Sequence, residues 1–266
     1  MGCVLGTGLD EISASGRDKR IQILGQLLVG KAAEMAFEDI YRQEMHSQDL
    51  ELRDLREGRT DTDYRLYNGQ GRPIYRINIK LHGARFRRSM ELVGLPPEDC
   101  FPLATYKIHS ALQKQHEDQL PYFFAVVAVP GLSAETVGSR IPRELVDTIA
   151  LIHQAPKGRH KRDVEDAAID YLVQTEDHVF RNSLATVRDA EWYVLSARRA
   201  DRLLRENLFQ RVFALRVRSF ARSFRGAELD MHFSLMNDLT PLRRFLATLR
   251  TDGFHRVTTL LERGDF

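Results

Sequence analysis

Residues 60–82 read TDTDYRLYNGQGRPIYRINIKLH, and this stretch predicts the β-hairpin around which the fold is built. Polar and apolar residues alternate from 63 to 67 and again from 74 to 81, which is the two-residue period of a strand. Between them, residues 68–71 (NGQG) are turn residues that tolerate a positive φ. We therefore expect two antiparallel strands joined by a short turn.

The second strand of this hairpin separates polar from apolar side chains. Residues two apart share a face of a strand, so one face carries Arg76, Asn78 and Lys80, and the other carries Ile77, Ile79 and Leu81. We expect the first face to be polar and the second to lie in the core. In a register that places Asp63 beside Asn78 and Lys80, which we assume, an acid, an amide and an ammonium converge.

Together with Glu34, these residues resemble the PD-(D/E)XK nuclease superfamily. Its signature is an Asp at the start of one strand and an acidic-x-Lys sequence on the next, often with a Glu on the preceding helix. The matching residues here are Glu34, Asp63 and Asn78-Ile79-Lys80, and residues 30–34 (GKAAE) resemble the Gly-containing helix. The resemblance implies an α/β, restriction-endonuclease-like core: a helix, three strands, a helix and a strand, forming a mixed sheet flanked by helices.

The resemblance also implies a metal-dependent endonuclease that acts on DNA, and in many such enzymes a homodimer. Hydrolysis of a phosphodiester needs stabilised negative charge and a hydroxide near neutral pH, both of which Mg²⁺ or Mn²⁺ supplies. Asp63 would be the main ligand, joined by the Asn78 amide, the Ile79 carbonyl and Glu34, directly or through water. Lys80 would orient the attacking water and offset developing charge.

Asn78 departs from the acid of the superfamily, and this leaves alternatives open. An amide oxygen binds a hard cation but carries no charge, so we expect weaker metal binding. Either the enzyme tolerates this, or the chain is an inactive nucleic-acid-binding module on the same fold. A protein-interaction component of a defence system is a further alternative. In the plainest interpretation, Asp63, Asn78 and Lys80 are solvated residues of an exposed sheet face and Glu34 is simply a helix residue.

Composition gives broad limits. The chain has 266 residues, 43% hydrophobic and 29% charged, which suits one large domain or two small ones. Its net charge is +2, and only seven of its 39 basic residues are lysines. Arginine favours bidentate phosphate contacts, although a genome rich in arginine codons explains the same bias.

Several classes of protein are not expected from the sequence. Cys3 and Cys100 are too few and too far apart for a zinc cluster or a disulfide framework, which fits a cytoplasmic protein. No run is long enough for a membrane-spanning helix, so we expect no membrane partner. Residues 25–31 match Gly-x-x-x-x-Gly-Lys, but Ala32 lacks the hydroxyl that a P-loop needs. We therefore expect no nucleotide cofactor.

Along the chain, periodicity predicts helices at 18–45, 103–117, 142–153 and 163–174 and strands at 49–57 and 122–129, with a loop or short helix within 83–102. Residues 191–215 are expected to form one long helix, 228–235 a strand, 240–249 a helix, and 254–261 a strand or helical turn. We divide the chain into a nuclease-like core at 17–130 and a mostly helical portion at 131–266. The second portion would have one or two strands and would bind nucleic acid or a second copy.

Two arginine clusters are candidate nucleic-acid contacts. One consists of Arg85, Arg87 and Arg88, and the other of Arg216, Arg218 and Arg222 interleaved with phenylalanines. For the first cluster, a solvated basic loop is an equal alternative. For the second, an amphipathic element with phenylalanines in the core and solvated arginines is slightly favoured over a DNA contact for any one arginine. His82 lies two residues beyond Lys80 on the same strand face, where it would contact the phosphate or, as we prefer, cap the strand.

Overall fold

The computed structural model describes residues 14–46, 48–55, 62–154, 161–220 and 224–266. Within these ranges, it describes only the backbone of residues 14–18, 153–154, 161–162, 214–220 and 224–228.

The described residues form nine strands and ten helices. The strands are β1 (Leu50–Asp54), β2 (Tyr64–Asn68), β3 (Pro73–His82), β4 (Cys100–Ala104), β5 (Tyr122–Ala128), β6 (Trp192–Ser196), β7 (Val212–Phe220), β8 (Phe224–Ser234) and β9 (Thr240–Pro241). The helices are α1 (Ala14–Met45), α2 (Ser89–Val93), α3 (Thr105–Asp118), α4 (Ala134–Gly138), α5 (Arg143–Gln154), α6 (Lys161–Gln174), α7 (His178–Asp189), α8 (Ala197–Glu206), α9 (Leu235–Asp238) and α10 (Leu242–Arg263).

Two compact units share the chain. Unit 1 comprises Met1–Ala36 and Val129–Asp189, and unit 2 comprises Phe37–Ala128 and Ala190–Phe266. Each unit is therefore built from two separate stretches, and the boundaries differ from the predicted division at residue 130.

Unit 2 contains two sheets. The larger has the order β1-β2-β3-β5-β6-β9, in which only β3 and β5 run parallel, and the smaller has the antiparallel order β4-β8-β7. The predicted α/β class with a mixed sheet flanked by helices is confirmed. The portion after residue 130 is largely helical, but it contributes four strands where one or two were expected.

The centre of the larger sheet is buried on both faces. β5 reads YFFAVVA, a continuous apolar run that is typical of a strand covered on each side. On one face, the Phe123 ring lies 4.9 Å from that of Phe245 of α10, and the two rings are tilted by 54°. On the other, Phe124 lies in a core cluster with Ile108 of α3 and Ala200 of α8.

Unit 1 is helical in its described residues, and α1 and α4 approach each other closely. A Cβ on Gly25 would meet the carbonyl oxygen of Ala134, and one on Gly138 would meet that of Ile21. Arg20 and Glu165 add a salt bridge of 2.8 Å. The Gly-x-x-x-x-Gly-Lys match therefore lies inside a helix, as expected, and Gly25 has a packing role.

Most predicted elements are present, with one large error. The helices near 18–45, 103–117, 142–153 and 163–174 and the strands near 49–57 and 122–129 are confirmed to within a few residues. The single long helix at 191–215 is wrong, because β6, α8 and β7 occupy that range. Ser196 marks the change from strand to helix, since its hydroxyl accepts from the Arg199 N–H as an N-cap.

Other differences are smaller. The range 83–102 contains α2, as allowed, but also the start of β4. Residues 254–261 continue α10 beyond Gly253, whose φ of 77° interrupts the helix. Among the described residues, no helix is long and apolar enough to cross a bilayer.

Candidate functional site

The turn of the central hairpin fixes how β2 and β3 align. The Asn68 side-chain oxygen accepts from the N–H groups of Gln70 at 3.1 Å and Arg72 at 2.9 Å. Gly71, at φ 70°, donates its N–H to the Asn68 carbonyl at 2.8 Å. The side chain thus replaces a backbone acceptor, as Asn commonly does in turns.

The resulting register brings Asp63 to β3. Tyr64 pairs with Ile77 in antiparallel fashion, so the next residues outward, Asp63 and Asn78, lie opposite each other. The Asp63 carboxylate accepts from the Ile79 N–H at 2.6 Å. The register assumed from the sequence is therefore the one observed.

Lys80 turns back onto the backbone of the same residue, Ile79. Its Nζ donates to the Ile79 carbonyl at 2.9 Å and to the side-chain oxygen of Asn78, and it lies 6.0 Å from the centre of the Phe124 ring. Asp63, Asn78 and Lys80 are all half-buried. We call this group, with the Ile79 peptide, the hairpin site.

The residues of α1 from Phe37 onward lie on the opposite face of the sheet. Phe37 packs 5.7 Å from Tyr64, which shares its face with Ile77 and not with Asn78. Glu38, which the sequence offers as an alternative to Glu34, accepts from the Tyr64 hydroxyl at 2.7 Å on that face. Glu38 is therefore not brought to the hairpin site. Glu34 belongs to unit 1, and its place at the metal stays a prediction.

A cleft of about 570 Å³ also lies between α1 and β1 in unit 2. Several of its polar side chains are already engaged, since Glu38 bonds Tyr64 and Arg42 and the Tyr41 hydroxyl donates to the Leu50 carbonyl. Because Tyr64 lines it, we assign this cleft to the α1 face and do not include it in the hairpin site.

The polar face of β3 is covered by another element at Arg76. This residue is only 5% exposed, and its guanidinium pairs with Asp118 at the end of α3. Arg65 reaches the same carboxylate at 3.5 Å. The helix α3 covers this part of the face, so the polar side chains become progressively more accessible only toward Asn78 and Lys80.

The oxygens of the hairpin site are of the kind that a hard divalent cation prefers. Those of Asn78 and Ile79 both contact one ammonium, so their lone pairs converge on a single cationic group. Asp63 adds the only carboxylate found there. Within the ranges that the structure describes, no three His, Cys, Asp or Glu residues are gathered in a way that could hold a metal. A metal at the hairpin site would therefore depend on one charged ligand.

The structure describes the side chains of the first arginine cluster but not those of the second. Arg85, Arg87 and Arg88 are exposed, and Arg88 forms a bidentate pair with Glu91 at 2.7 and 2.9 Å, which leaves it less available for a phosphate. Arg216 and Arg218 lie in β7, but their side chains are outside the described set, and Arg222 lies wholly outside the described residues. The nucleic-acid role of all six stays a prediction.

His82 is the last residue of β3, and a second histidine, His232, lies in the same buried region, which the sequence did not indicate. The His82 ring lies edge-on to Phe101, and burial, with a smaller contribution from the charge of His232, lowers the pKa of His82 to about 4. Burial also lowers the pKa of His232, whose ring stacks on Phe86 at 5.0 Å. Among the residues that the structure describes, the buried Nε2 atoms of both histidines have no hydrogen-bond partner. These two distant residues share no local motif by which they could be found.

Comparisons of the chain with models of protein families, with curated proteins and with solved structures find no match.

Proposed function

We propose that the chain is an endonuclease-like protein that hydrolyses DNA phosphodiester bonds with Mg²⁺ or Mn²⁺. The carrying observation is the arrangement around the Ile79 peptide, where Asp63 accepts from the N–H and Lys80 donates to the carbonyl. The elements α1, β1, β2, β3, α3 and β5 follow one another in the order that the resemblance implies, with α2 and β4 inserted between β3 and α3. This order and the mixed sheet support a restriction-endonuclease-like core.

Each group of the hairpin site has a distinct task in this proposal. Asp63 is the charged metal ligand, and Asn78 and the Ile79 carbonyl are neutral ligands. A metal bound there would stabilise negative charge on the phosphate and lower the pKa of its bound water. The Lys80 ammonium orients the attacking water and offsets the charge that develops on the phosphate.

DNA would be held by the arginine clusters. Arg85 and Arg87 follow β3 by only a few residues and are exposed, so they are suited to grip phosphates near the hairpin site. Arg88, Arg216, Arg218 and Arg222 are proposed as further contacts. The resemblance also supports a homodimer that cuts both strands.

The second candidate is a binding module that holds DNA without cutting it. A specific observation favours it: the Lys80 ammonium itself satisfies the oxygens of Asn78 and Ile79, and Asp63 supplies only one acid. An ammonium held in this way can contact a phosphate as a point charge without any metal.

Plasmid cleavage and DNA retention separate the candidates. The wild-type chain and the variants Asp63→Ala and Lys80→Ala would be assayed with Mg²⁺, with Mn²⁺ and with EDTA. Asp252→Ala and Lys107→Ala serve as matched controls outside the site. Metal-dependent cleavage that both site variants abolish and both controls retain supports the enzyme. Salt-sensitive binding without cleavage supports the module. If the chain neither cleaves DNA nor retains it at low salt, both candidates are refuted and a protein-interaction role is favoured.

A further inference from the structure

Phe209 is the most exposed large apolar residue that the structure describes. Its side chain is 98% exposed, and its neighbour Leu208 is 47% exposed. Phe213, at the start of β7, is 38% exposed. Single apolar residues at a surface are ordinary, but a phenylalanine that makes almost no contact with its own chain is not. The cluster lies in unit 2, between α8 and β7.

The turn that carries Phe209 is held at both ends. The N–H groups of Gln210 and Arg211 both donate to the Asn207 carbonyl, at 3.0 and 2.9 Å, and the Asn207 amide donates back to the Leu203 carbonyl at 2.9 Å. The ring is therefore presented on an ordered turn.

Arg211 anchors the far end of this turn. Its guanidinium bonds Asp238 at 2.7 Å, and its carbonyl accepts from the His232 N–H at 3.0 Å. Because the turn is fixed in this way, little conformational entropy is lost when Phe209 contacts a partner.

The charge around Phe209 indicates what that partner is. From residue 207 to residue 227 the sequence contains five arginines and no acidic residue. From residue 198 to residue 227 there are nine arginines and two acidic residues, Asp201 and Glu206. On the preceding helix α8, Arg198 and Glu206 are exposed, and Arg205 is paired with Asp201, as Arg211 is with Asp238. An apolar ring in a basic surrounding suits a polyanion that also offers flat apolar faces, and DNA has both properties.

We propose that Phe209 inserts as a wedge against a base step of bound DNA. Apolar wedge residues of DNA-binding proteins partly unstack neighbouring bases and bend the duplex. The proposal deepens the proposed function by assigning a contact to the DNA bases, and for its choice of DNA it rests on that function. It does not depend on cleavage, because Phe209 is not part of the hairpin site.

The test is DNA binding in EDTA by the full chain and by Phe209→Ala. Loss of base stacking weakens binding by roughly 5- to 150-fold. Because the ring carries no charge, the slope of log affinity against log salt should stay that of the wild type. Tyr171→Ala, which removes an exposed aromatic ring from unit 1, is the matched control and should bind normally.

Phe209→Trp adds a direct signal. The only tryptophan, Trp192, is buried, so it contributes a constant background. Emission from the new indole should be quenched when DNA saturates the protein. Normal binding by Phe209→Ala, or unquenched emission from Phe209→Trp, would overturn the wedge. So would a change from dimer to monomer in Phe209→Ala, since the ring would then be a contact between copies.

These outcomes separate the wedge from the hydrolase. DNA binding that depends on Phe209 but is never followed by cleavage supports the wedge and refutes the hydrolase. Cleavage by the wild type together with full DNA binding by Phe209→Ala supports the hydrolase and refutes the wedge. No binding by the wild type refutes both.

Discussion

Replacing Asn78 by Asp tests whether the oxygens of the hairpin site share a cation. The two side chains have nearly the same shape, so the substitution adds a charge with little change in packing. The new carboxylate would contact the Lys80 ammonium beside the Ile79 peptide that Asp63 already bonds. We expect a divalent metal to bind more tightly, because the site then holds two acids.

The structure allows the size of this effect to be worked out. Two unit charges about 4 Å apart interact by about 4 kcal/mol at an effective dielectric constant of about 20, and a divalent ion gains about twice that. The Lys80 ammonium cancels much of this gain, and water weakens what is left because the position is only half-buried. A net gain of about 1.4 to 2.8 kcal/mol remains, which is a ten- to hundredfold lower Kd.

Isothermal titration with Mg²⁺ and with Mn²⁺ measures the change. Asn68→Asp is the matched control, because it adds the same charge to the same hairpin at the turn, five residues along the chain from Asp63. The reasoning is refuted if Asn78→Asp binds metal no more tightly than Asn68→Asp. If the hydrolase proposal holds, cleavage at limiting Mg²⁺ should also become faster in Asn78→Asp.

Three further predictions concern stability. Tyr75→Phe should lose about 1 kcal/mol in urea unfolding, because the Tyr75 hydroxyl donates to the Phe254 carbonyl at 2.7 Å; an unchanged midpoint would contradict this. Burial lowers the folded-state pKa of His82 to about 4 from its ordinary 6.5, so the unfolded chain takes up a proton at a higher pH than the folded one. The contribution of His82 to the free energy of unfolding is therefore complete above pH 6.5 and is lost as the pH falls to about 4. His82→Gln should therefore remove about 3 kcal/mol of the acid destabilisation, measured by thermal unfolding across that range, and an unaltered pH profile would disprove the assignment. Gly138→Ala should cost about 1–3 kcal/mol because its Cβ meets the Ile21 carbonyl, whereas Gly30→Ala, with open space around it, should be neutral or stabilising; equal effects would contradict the close approach of α1 and α4.

The parts of the fold that were predictable are those set by local sequence. The NGQG turn and the alternation on each side of it determine the pairing of β2 with β3, and the pairing in turn brings Asp63 to Asn78 and Lys80. The helix α1 and the strand β5 follow from long, clear periodic runs. In each of these elements, the residues that decide the structure are neighbours along the chain.

The errors arise where distant residues decide. Nothing near Arg76 in sequence indicates that Asp118 and α3 cover it. Residues 192–196 are a short apolar run next to an arginine-rich helix, and helical spacing continues through both, so periodicity alone could not separate β6 from α8. The pair His82 and His232 likewise exists only because β3 and β8 bring the two histidines into one buried environment.

The division of the chain into units has a consequence for how this protein could vary. β5 ends at Ala128 and β6 begins at Trp192, and the two strands are antiparallel neighbours in which Val127 pairs with Trp192. The intervening stretch, residues 129–189, thus leaves and re-enters unit 2 at adjacent points about 5 Å apart. The pairing of β5 with β6, and so the ladder of the larger sheet that carries the hairpin site, therefore does not depend on the length of the stretch between them, and evolution could lengthen that stretch at its loops.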